Sequence, residues 1–294
     1  MACLFGARLA RLGGTVTLVG TWPEALQIIA RDGIEVEEGD RRWRAVPAVE
    51  RLGGALGPAD LVLVLVKSHR TAAIAPRASA ARGPAGRVLT LQNGLGNAEV
   101  LAAAAGPLHV DAGVTTAAAA LLGPGRVRVS GLGRTHLAPS PGASWIAALL
   151  EGAGFPIEIA GDLRVVIWRK LAANCAINAL SALRGVPNGA LLESPVDRAR
   201  LEGAAREVGA VAGAQGISLG ADAAEIAVGV ARATAWNPSS MLQDLERGAA
   251  TEVDAINGAV VREGRRAGVP TPINEALWRE VLAREARRPS EAPA

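Results

Sequence analysis

The chain has 294 residues, half of them hydrophobic, and a formal net charge of +3. This length favours two medium-sized cores. Lys and Arg are spread along the chain without a basic run, so a nucleic-acid partner is not indicated. The two cysteines are too few for a disulfide framework, and no Cys/His spacing suggests a metal site.

The sequence shows neither a membrane-spanning nor a secretory segment. Its long apolar run at residues 61–66 is far too short to cross a bilayer and indicates a buried parallel strand. Arg8 and Arg11 interrupt the apolar residues of the N-terminus, unlike in a signal peptide. We therefore expect a cytoplasmic protein with no membrane partner.

The first 160 residues alternate strand-like runs with helical stretches, which is typical of a parallel sheet with crossover helices. The predicted strands are 15–19, 60–66, 87–91, 108–114 and 155–159, with a helix at 23–30 and a hairpin made of 125–131 and 134–138. The pattern predicts an α/β, Rossmann-like dinucleotide-binding domain over residues 1–160.

After residue 160 the pattern changes to helices almost without β-branched runs. The predicted helices are 163–183, 197–215, 221–234, 239–247, 252–267 and 272–285. Prolines stand at plausible boundaries between them. Residues 161–294 are therefore predicted to form an all-helical C-terminal domain, with a loose tail at 287–294.

Polar side chains form a stripe on the first of these helices. Lys170, Asn174 and Asn178 are four residues apart, so they fall on one narrow face, and the residues between them are small or apolar. Lys and Asn on a helix are commonly surface groups, but a helix without another polar face must turn this stripe toward a cavity. A buried ammonium needs a partner or loses its proton, and Glu252 can offset the charge.

These segments also carry a family resemblance. The strings W-R-K-L-A-x-N-C-x-I-N-x-L, P-N-G at 187–189, S-S-M-L-Q-D and T-E-x-D-x-I-N-G resemble those of the 2-dehydropantoate 2-reductases, or ketopantoate reductases. Weaker matches are Leu-Val-Lys67, Gln-Asn93-Gly-Leu-Gly and Gly-Val-Thr-Thr116. The resemblance implies NADPH-dependent reduction of 2-dehydropantoate to pantoate, in the biosynthesis of pantothenate and coenzyme A.

The resemblance also implies roles for individual residues. Lys170 would donate a proton to the ketone oxygen, and Glu252 would orient this lysine or the cofactor ribose. The residues expected to hold the substrate are Asn174 and Asn178 at its hydroxyl and ketone side, Ser240 at its carboxylate and Asn188 at its far end. The residues expected to contact NADP are Lys67, Asn93, Ala119 and Glu252.

Some of these residues have ordinary structural interpretations as well. Lys67 could be a solvated residue after a strand, Asn93 part of a simple turn, and Glu252 a partner of a helix dipole. Asp244 could be only a helix-surface partner, pairing with Ser240 four residues earlier. Cofactor choice is also open from the residues alone, because Thr21 stands where the family commonly shows Arg.

The start of the chain departs from the family pattern. A dinucleotide fold should open with a strand and G-x-G-x-x-G, but residues 1–14 look like the helix that follows this motif, with Ala2 at its last small position. The first strand and both leading glycines would then be missing. Either the chain as written begins at an internal methionine, which the complete downstream pattern favours, or it is a degenerate member that no longer binds cofactor normally.

The residues are also compatible with two other functions. The chain could reduce a different 2-keto acid, because substrate-side residues can drift while Lys170 and Glu252 remain. It could also be a non-catalytic protein that has lost its nucleotide site. The expected partner is a small-molecule 2-keto acid, and family analogy suggests a homodimer.

Overall fold

The computed structural model describes residues 1–287, so the predicted loose tail lies, apart from Arg287, outside the described residues. Within this range the last strand ends at Ile159, and only helices and loops follow. We call residues 1–160 the α/β part and residues 161–287 the helical part. None of the helices in the described range is both long enough and apolar enough to cross a membrane.

The α/β part opens with helix α1 (Ala2–Arg11), as the sequence predicts for its first residues. Its strands are β1 (Thr17–Gly20), β2 (Ile34–Glu38), β3 (Arg41–Ala45), β4 (Ala48–Arg51), β5 (Ala59–Val64), β6 (Arg82–Thr90), β7 (Val110–Thr115), β8 (Ala118–Gly123), β9 (Arg126–Gly131), β10 (Thr135–Leu137) and β11 (Ile157–Ile159). Its other helices are α2 (Pro23–Asp32), α3 (Thr71–Ala81), α4 (Asn97–Ala105) and α5 (Ala143–Gly152), with short 3-10 helices at Ser68–Arg70 and Pro107–His109.

The largest sheet in the described range has the order β11-β10-β7-β6-β5. Strands β5, β6 and β7 are parallel and are connected by crossover helices α3 and α4. Their carboxyl ends therefore meet at one edge of the sheet, where parallel α/β folds bind their ligands. Lys67, Asn93 and Thr115 lie at these three strand ends.

Helix α1 packs its apolar face into the core of the α/β part. Leu4 and Phe5 are fully buried, and the ring of Phe5 stacks on that of Phe155 with centroids 4.0 Å apart. Leu18 of β1 and Leu61 of β5 pack against the same core. Within residues 1–287, however, β1 is hydrogen-bonded only to β4 and β5 only to β6, so these strands belong to separate sheets.

The predicted hairpin of residues 125–131 and 134–138 is wrong. Strand β9 pairs with β8 and β2, whereas β10 pairs with β7 and β11. The chain changes sheets between them, where Thr116 and Arg134 are hydrogen-bonded. The backbone N–H of Thr116 donates to the carbonyl oxygen of Arg134, and the backbone N–H of Arg134 donates to the hydroxyl of Thr116. Gly133 permits this close approach: it has a φ of +50°, and a Cβ there would lie 2.3 Å from the Thr116 hydroxyl.

A second sheet has the order β3-β2-β9-β8. Of its strands only β9 was predicted from the sequence, and β4 was not predicted either. The strands of the second sheet carry many charged residues, such as Glu35, Glu37 and Arg44. A stretch of sequence with this composition resembles a solvated loop. In the fold, Glu37 is 6% exposed and lies among arginines of neighbouring strands, including Arg128 at 2.9 Å. Ile34 and Val36 of β2 alternate with these charges and are fully buried, so the strand pattern was present in the sequence but was overlooked among the charged residues.

The helical part confirms the predicted helices to within a few residues at most ends. It comprises α6 (Leu163–Arg184), a 3-10 helix (Asn188–Leu192), α7 (Pro195–Ala214), α8 (Ala223–Ala233), α9 (Ser240–Glu246), a π-helical turn (Asp254–Gly258), α10 (Ala259–Ala267) and α11 (Pro272–Ala286). The predicted helix at 252–267 therefore begins with the π-turn, not with a regular helix.

Helix α6 is the centre of the helical part. The carboxylate of Asp162 caps its start by accepting from the backbone N–H of Arg164, and Gly185, with a φ of +67°, ends it. Cys175 is completely buried, as expected of a packing residue, and burial raises the pKa of its thiol. Buried apolar residues of the other helices form one continuous core around α6.

Candidate active site

Lys170 of α6 extends from the helical part to the α/β part. Its ammonium donates to Oδ1 of Asn93 at 2.7 Å and to the carbonyl oxygen of Thr115 at 2.6 Å. Burial lowers the pKa of Lys170 from 10.5 to about 8, and the charge of Glu252 works in the opposite direction. Desolvation therefore outweighs the carboxylate, which the sequence alone left undecided.

Glu252 precedes the π-turn and is 7% exposed. One oxygen, Oε1, accepts from the backbone N–H of Ser68 at 3.0 Å and from its hydroxyl at 2.9 Å. The other, Oε2, accepts from Nδ2 of Asn93 at 3.1 Å. The amide of Asn93 thus lies between Glu252 and Lys170 and binds both.

Lys67 is tied to the helical part and is not simply a solvated residue. Its ammonium lies 2.6 Å from Oδ2 of Asp244 and 3.7 Å from Oε2 of Glu252. Asp244 is buried, so the interpretation of Asp244 as a helix-surface partner is wrong, and its hydrogen bond goes to Lys67, not to Ser240. Burial raises the pKa of Asp244, while Lys67 acts to lower it.

Asn174 and Asn178 share the helix face of Lys170, as the four-residue spacing predicts. Neither side-chain amide makes a hydrogen bond to any residue of the described chain, although Asn178 is only 8% exposed. The backbone oxygen of Asn178 accepts from the hydroxyl of Ser239 at 3.4 Å. The two amides therefore remain available for a ligand beside the ammonium.

The remaining predicted residues lie outside this hydrogen-bonded group. Nδ2 of Asn188 donates to the hydroxyl of Thr234 at 2.9 Å, and its buried Oδ1 has no partner within residues 1–287. Ser240 is exposed as the first residue of α9, where Ser239 provides the cap. Ala119 lies in β8 opposite Val129 and packs on the core of the α/β part.

Two groups at this site were not predicted from the sequence. Ser68 follows Lys67 directly, and its position next to this predicted site residue was the only indication of its role. Thr115 contributes its backbone carbonyl, which no side-chain pattern can reveal. Thr115 lies within a segment with a weaker family match and Ser68 directly after one, but neither side chain suggested chemistry by itself.

The π-turn docks directly on the loop that carries Asn93. The backbone N–H of Leu95 donates to the carbonyl oxygen of Ala255 at 3.1 Å. Gly94 has a φ of +83°, and a Cβ at this position would lie 2.3 Å from the same carbonyl oxygen. Glycine is therefore required here, both for its backbone conformation and for the close contact between the two parts.

The residues at the carboxyl ends of β5, β6 and β7 fit a dinucleotide at this edge of the sheet. Asn93 and the carbonyl of Thr115 lie beside the candidate acid Lys170. The loop that carries Asn93 also contains Gly96, with a φ of +89°, and a Cβ there would have no atom within 4 Å, so the backbone is open at this position. Thr21, after β1, is exposed and offers a hydroxyl without charge.

Lys67 and Lys170 are the only lysines in the sequence, and every other basic residue apart from three histidines is an arginine. Both ammonium groups lie in this site. Lysine-selective measurements therefore report on the site without interference from surface lysines.

Comparison with known proteins gives the same assignment along the chain. Residues 1–142 match the family described as ketopantoate reductase PanE/ApbA, and residues 162–285 match its C-terminal domain. The 2-dehydropantoate 2-reductase of Halobacterium salinarum is 39% identical over 283 residues, which cover 94% of this chain and 93% of that protein.

Solved structures support the same family assignment. A PanE/ApbA family ketopantoate reductase from Ralstonia eutropha JMP134 is 35% identical, with a TM-score of 0.90 over 97% of this chain and 95% of that one. D-mandelate dehydrogenase, solved with NADH and anilino(oxo)acetate, is 25% identical, with a TM-score of 0.89 over 96% of this chain and 94% of that one. These matches confirm the predicted fold class, a Rossmann-like α/β domain followed by a helical domain. The chain belongs to the ketopantoate reductase family.

Proposed function

We propose that this protein reduces 2-dehydropantoate to pantoate with NADPH, as part of pantothenate and coenzyme A biosynthesis. The observation that carries the proposal is the ammonium of Lys170, held by Asn93 and Thr115 at the sheet edge where dinucleotides bind. A buried lysine with a lowered pKa at such an edge is a candidate proton donor beside a cofactor.

Lys170 is the proton donor in this mechanism. NADPH, when bound, would supply the hydride. The negative charge that would develop on the ketone oxygen needs a donor within hydrogen-bond reach. With a pKa of about 8, Lys170 is mostly protonated at neutral pH and still gives up its proton readily. Its two acceptors, Asn93 and Thr115, keep the ammonium in place before transfer.

Glu252 acts on Lys170 through Asn93. Because Nδ2 of Asn93 is engaged by the carboxylate, Oδ1 is the end that faces the ammonium. The charge of Glu252 also favours the protonated lysine. Lys67 partly neutralises Glu252 and Asp244, which reduces the repulsion that these carboxylates would exert on an anionic ligand.

The substrate side is built from neutral polar groups. The free amides of Asn174 and Asn178 would bind the ketone and hydroxyl side of the substrate, next to Lys170. The unpartnered Oδ1 of Asn188 would accept from a hydroxyl at its far end, and the exposed hydroxyl of Ser240, at the first turn of α9, would meet its carboxylate. This set suits a small 2-keto acid with a hydroxyl group.

The cofactor side and the assembly complete the proposal. The residues that would contact the dinucleotide are Lys67, Asn93, Ala119 and Glu252. The preference for NADP over NAD rests on family analogy alone, because Thr21 brings no charge to the position where the family commonly shows Arg. We also propose the division into a cofactor domain at 1–160 and a substrate domain at 161–294. We also propose a cytoplasmic location and, by family analogy, a homodimer.

The test is NADPH oxidation by the purified chain in the presence of 2-dehydropantoate. We expect turnover with NADPH, less with NADH, and a fall in kcat of at least about 10²-fold in Lys170→Ala, since a positioned acid is lost. Quenching of tryptophan emission by NADPH should persist in this variant. Arg164→Ala, which removes an exposed charge from the same helix, should retain full activity.

A folded wild-type chain that does not oxidise NADPH with 2-dehydropantoate would refute the proposal. The likeness to D-mandelate dehydrogenase favours one alternative, a reductase of another 2-keto acid. Higher kcat/KM for an aromatic 2-keto acid with NADH than for 2-dehydropantoate with NADPH would support that alternative. Loss of both activities together with loss of nucleotide binding would indicate a non-catalytic protein.

A further inference from the structure

A buried chain of hydrogen bonds leads from Gln92 through Thr71 and Asn97 to the backbone of Asn93. Nε2 of Gln92 donates to the hydroxyl of Thr71 at 2.8 Å, and this hydroxyl donates to Oδ1 of Asn97 at 2.8 Å. Nδ2 of Asn97 then donates to the backbone oxygen of Asn93 at 2.8 Å. Thr71 and Asn97 are 2% and 7% exposed, so water does not compete for these groups.

Ser68 connects this chain to Glu252. Its hydroxyl oxygen lies 2.7 Å from the backbone oxygen of Asn93, 2.9 Å from Oε1 of Glu252 and 3.3 Å from Nδ2 of Asn97. The hydroxyl has one proton for two acceptors. Because Asn97 already donates to the backbone oxygen of Asn93, the carboxylate is the acceptor that gains most from the proton, through a charge-assisted hydrogen bond.

Ser68 therefore holds Glu252 with two donors, its backbone N–H and its hydroxyl, across the boundary between the two parts. A carboxylate fixed in this way presents Oε2 to Nδ2 of Asn93. That contact determines which end of the Asn93 amide faces Lys170. Any loosening of Glu252 is thus transmitted to the ammonium through a single amide.

We propose that Ser68 is a positioning residue of this enzyme: its hydroxyl fixes Glu252 and, through Asn93, the ammonium of Lys170. Ser68 does not need to touch the substrate for this role. The inference rests on the proposed function of Lys170 as the acid. Its central observable, the state of the Lys170 ammonium, can nevertheless be measured without any substrate.

The test is Ser68→Ala in the full chain. We expect kcat for 2-dehydropantoate and NADPH to fall about tenfold with KM within about twofold, since one charge-assisted hydrogen bond is lost and the substrate groups are untouched. NMR titration of lysine-labelled protein should show a lower pKa for Lys170, because the carboxylate that raises it is held less firmly. Because the sequence has only two lysines, only two side chains carry the label.

Two further variants make the result decisive. Ser68→Thr keeps the hydroxyl and should restore both kcat and the pKa of Lys170. Ser79→Ala removes a hydroxyl from the same part, where it donates to the carbonyl of Ala104, and should leave both unchanged. A Ser68→Ala protein with a lower Tm but the wild-type pKa of Lys170 would show that Ser68 is merely structural and would overturn the proposal.

Failure of the proposed function would look different. If the wild-type protein did not reduce 2-dehydropantoate but Ser68→Ala still lowered the pKa of Lys170, and Ser68→Thr restored it, the positioning role would stand and only the substrate would be wrong.

Discussion

The ammonium of Lys170 and the carboxylate of Glu252 are coupled through one side chain, the amide of Asn93, which accepts from the first at 2.7 Å and donates to the second at 3.1 Å. An amide can do this because it carries an acceptor and a donor on the same plane. Asn93 comes from the α/β part and the two charged residues from the helical part. The candidate acid is therefore complete only when both parts are docked.

Asn93→Asp tests this coupling with almost no change in shape. The new carboxylate can still accept from Lys170 but cannot donate to Glu252, and a second negative charge beside the ammonium should raise the pKa of Lys170 above about 8. A weaker acid in a disturbed position should lower kcat by at least about tenfold. Lysine NMR and steady-state kinetics measure the two effects, and wild-type values for both would contradict the coupling.

The pH dependence of the reaction should report the depressed pKa of Lys170. The lysine acts as an acid in its protonated form, so kcat/KM for reduction should be constant below a pH of about 8 and fall above it. In the reverse direction, pantoate oxidation, the neutral amine is the required base, and the rate should rise through the same pH. A reduction rate that stays level up to pH 10 would rule out Lys170 as the donor.

Glu252→Gln separates the charge of this residue from its hydrogen bonds. The amide oxygen can still accept from Ser68, but the negative charge that raises the pKa of Lys170 is gone. The pKa of Lys170 should therefore drop below about 8, and the decline of kcat/KM should begin at lower pH. Glu280→Gln, which neutralises an exposed carboxylate on α11, is the matched control. A decline that moves to higher pH would contradict the assignment.

Periodicity predicted the helical part well because its helices bury continuous apolar faces. In α6 the four-residue spacing of Lys170, Asn174 and Asn178 was enough to place all three on one face of a single helix. Strands β2 and β3 were not predicted although Ile34 and Val36 alternate with glutamates, because their many Glu and Arg, which pair across the strands, resemble a solvated loop. Periodicity also failed for β9 and β10, since alternation identifies a strand but not its partner.

The contacts that assemble the site could not be predicted in the same way. Asp244 follows Lys67 by 177 residues and Glu252 follows Ser68 by 184, so these pairs depend on how the two parts dock. The family resemblance indicated which residues matter, but it gave no partner for Lys67 and no role to Ser68. Only the three-dimensional arrangement shows that Lys67 neutralises carboxylates of the helical part.

The docking contact itself is tested by Gly94→Ala, with Gly106→Ala as the control. Both glycines have a φ of +83°, so each substitution forces a side chain into a disfavoured backbone conformation, at a cost of about 1 to 3 kcal/mol. A Cβ at Gly106 meets only a His109 ring carbon at 3.8 Å, whereas at Gly94 it would lie 2.3 Å from the carbonyl oxygen of Ala255. Gly94→Ala must therefore also push away the π-turn that follows Glu252.

We expect Gly106→Ala to lower the free energy of unfolding, measured with urea, by about this backbone cost and to leave kcat unchanged. Gly94→Ala should cost more stability and lower kcat by about tenfold or more, because a small displacement of Glu252 from Asn93 and Ser68 disturbs the position of Lys170. Equal losses of stability and unchanged kcat in both variants would mean that the Gly94–Ala255 contact does not hold the acid in place. A larger loss confined to Gly94→Ala would link the docking of the two parts directly to proton transfer.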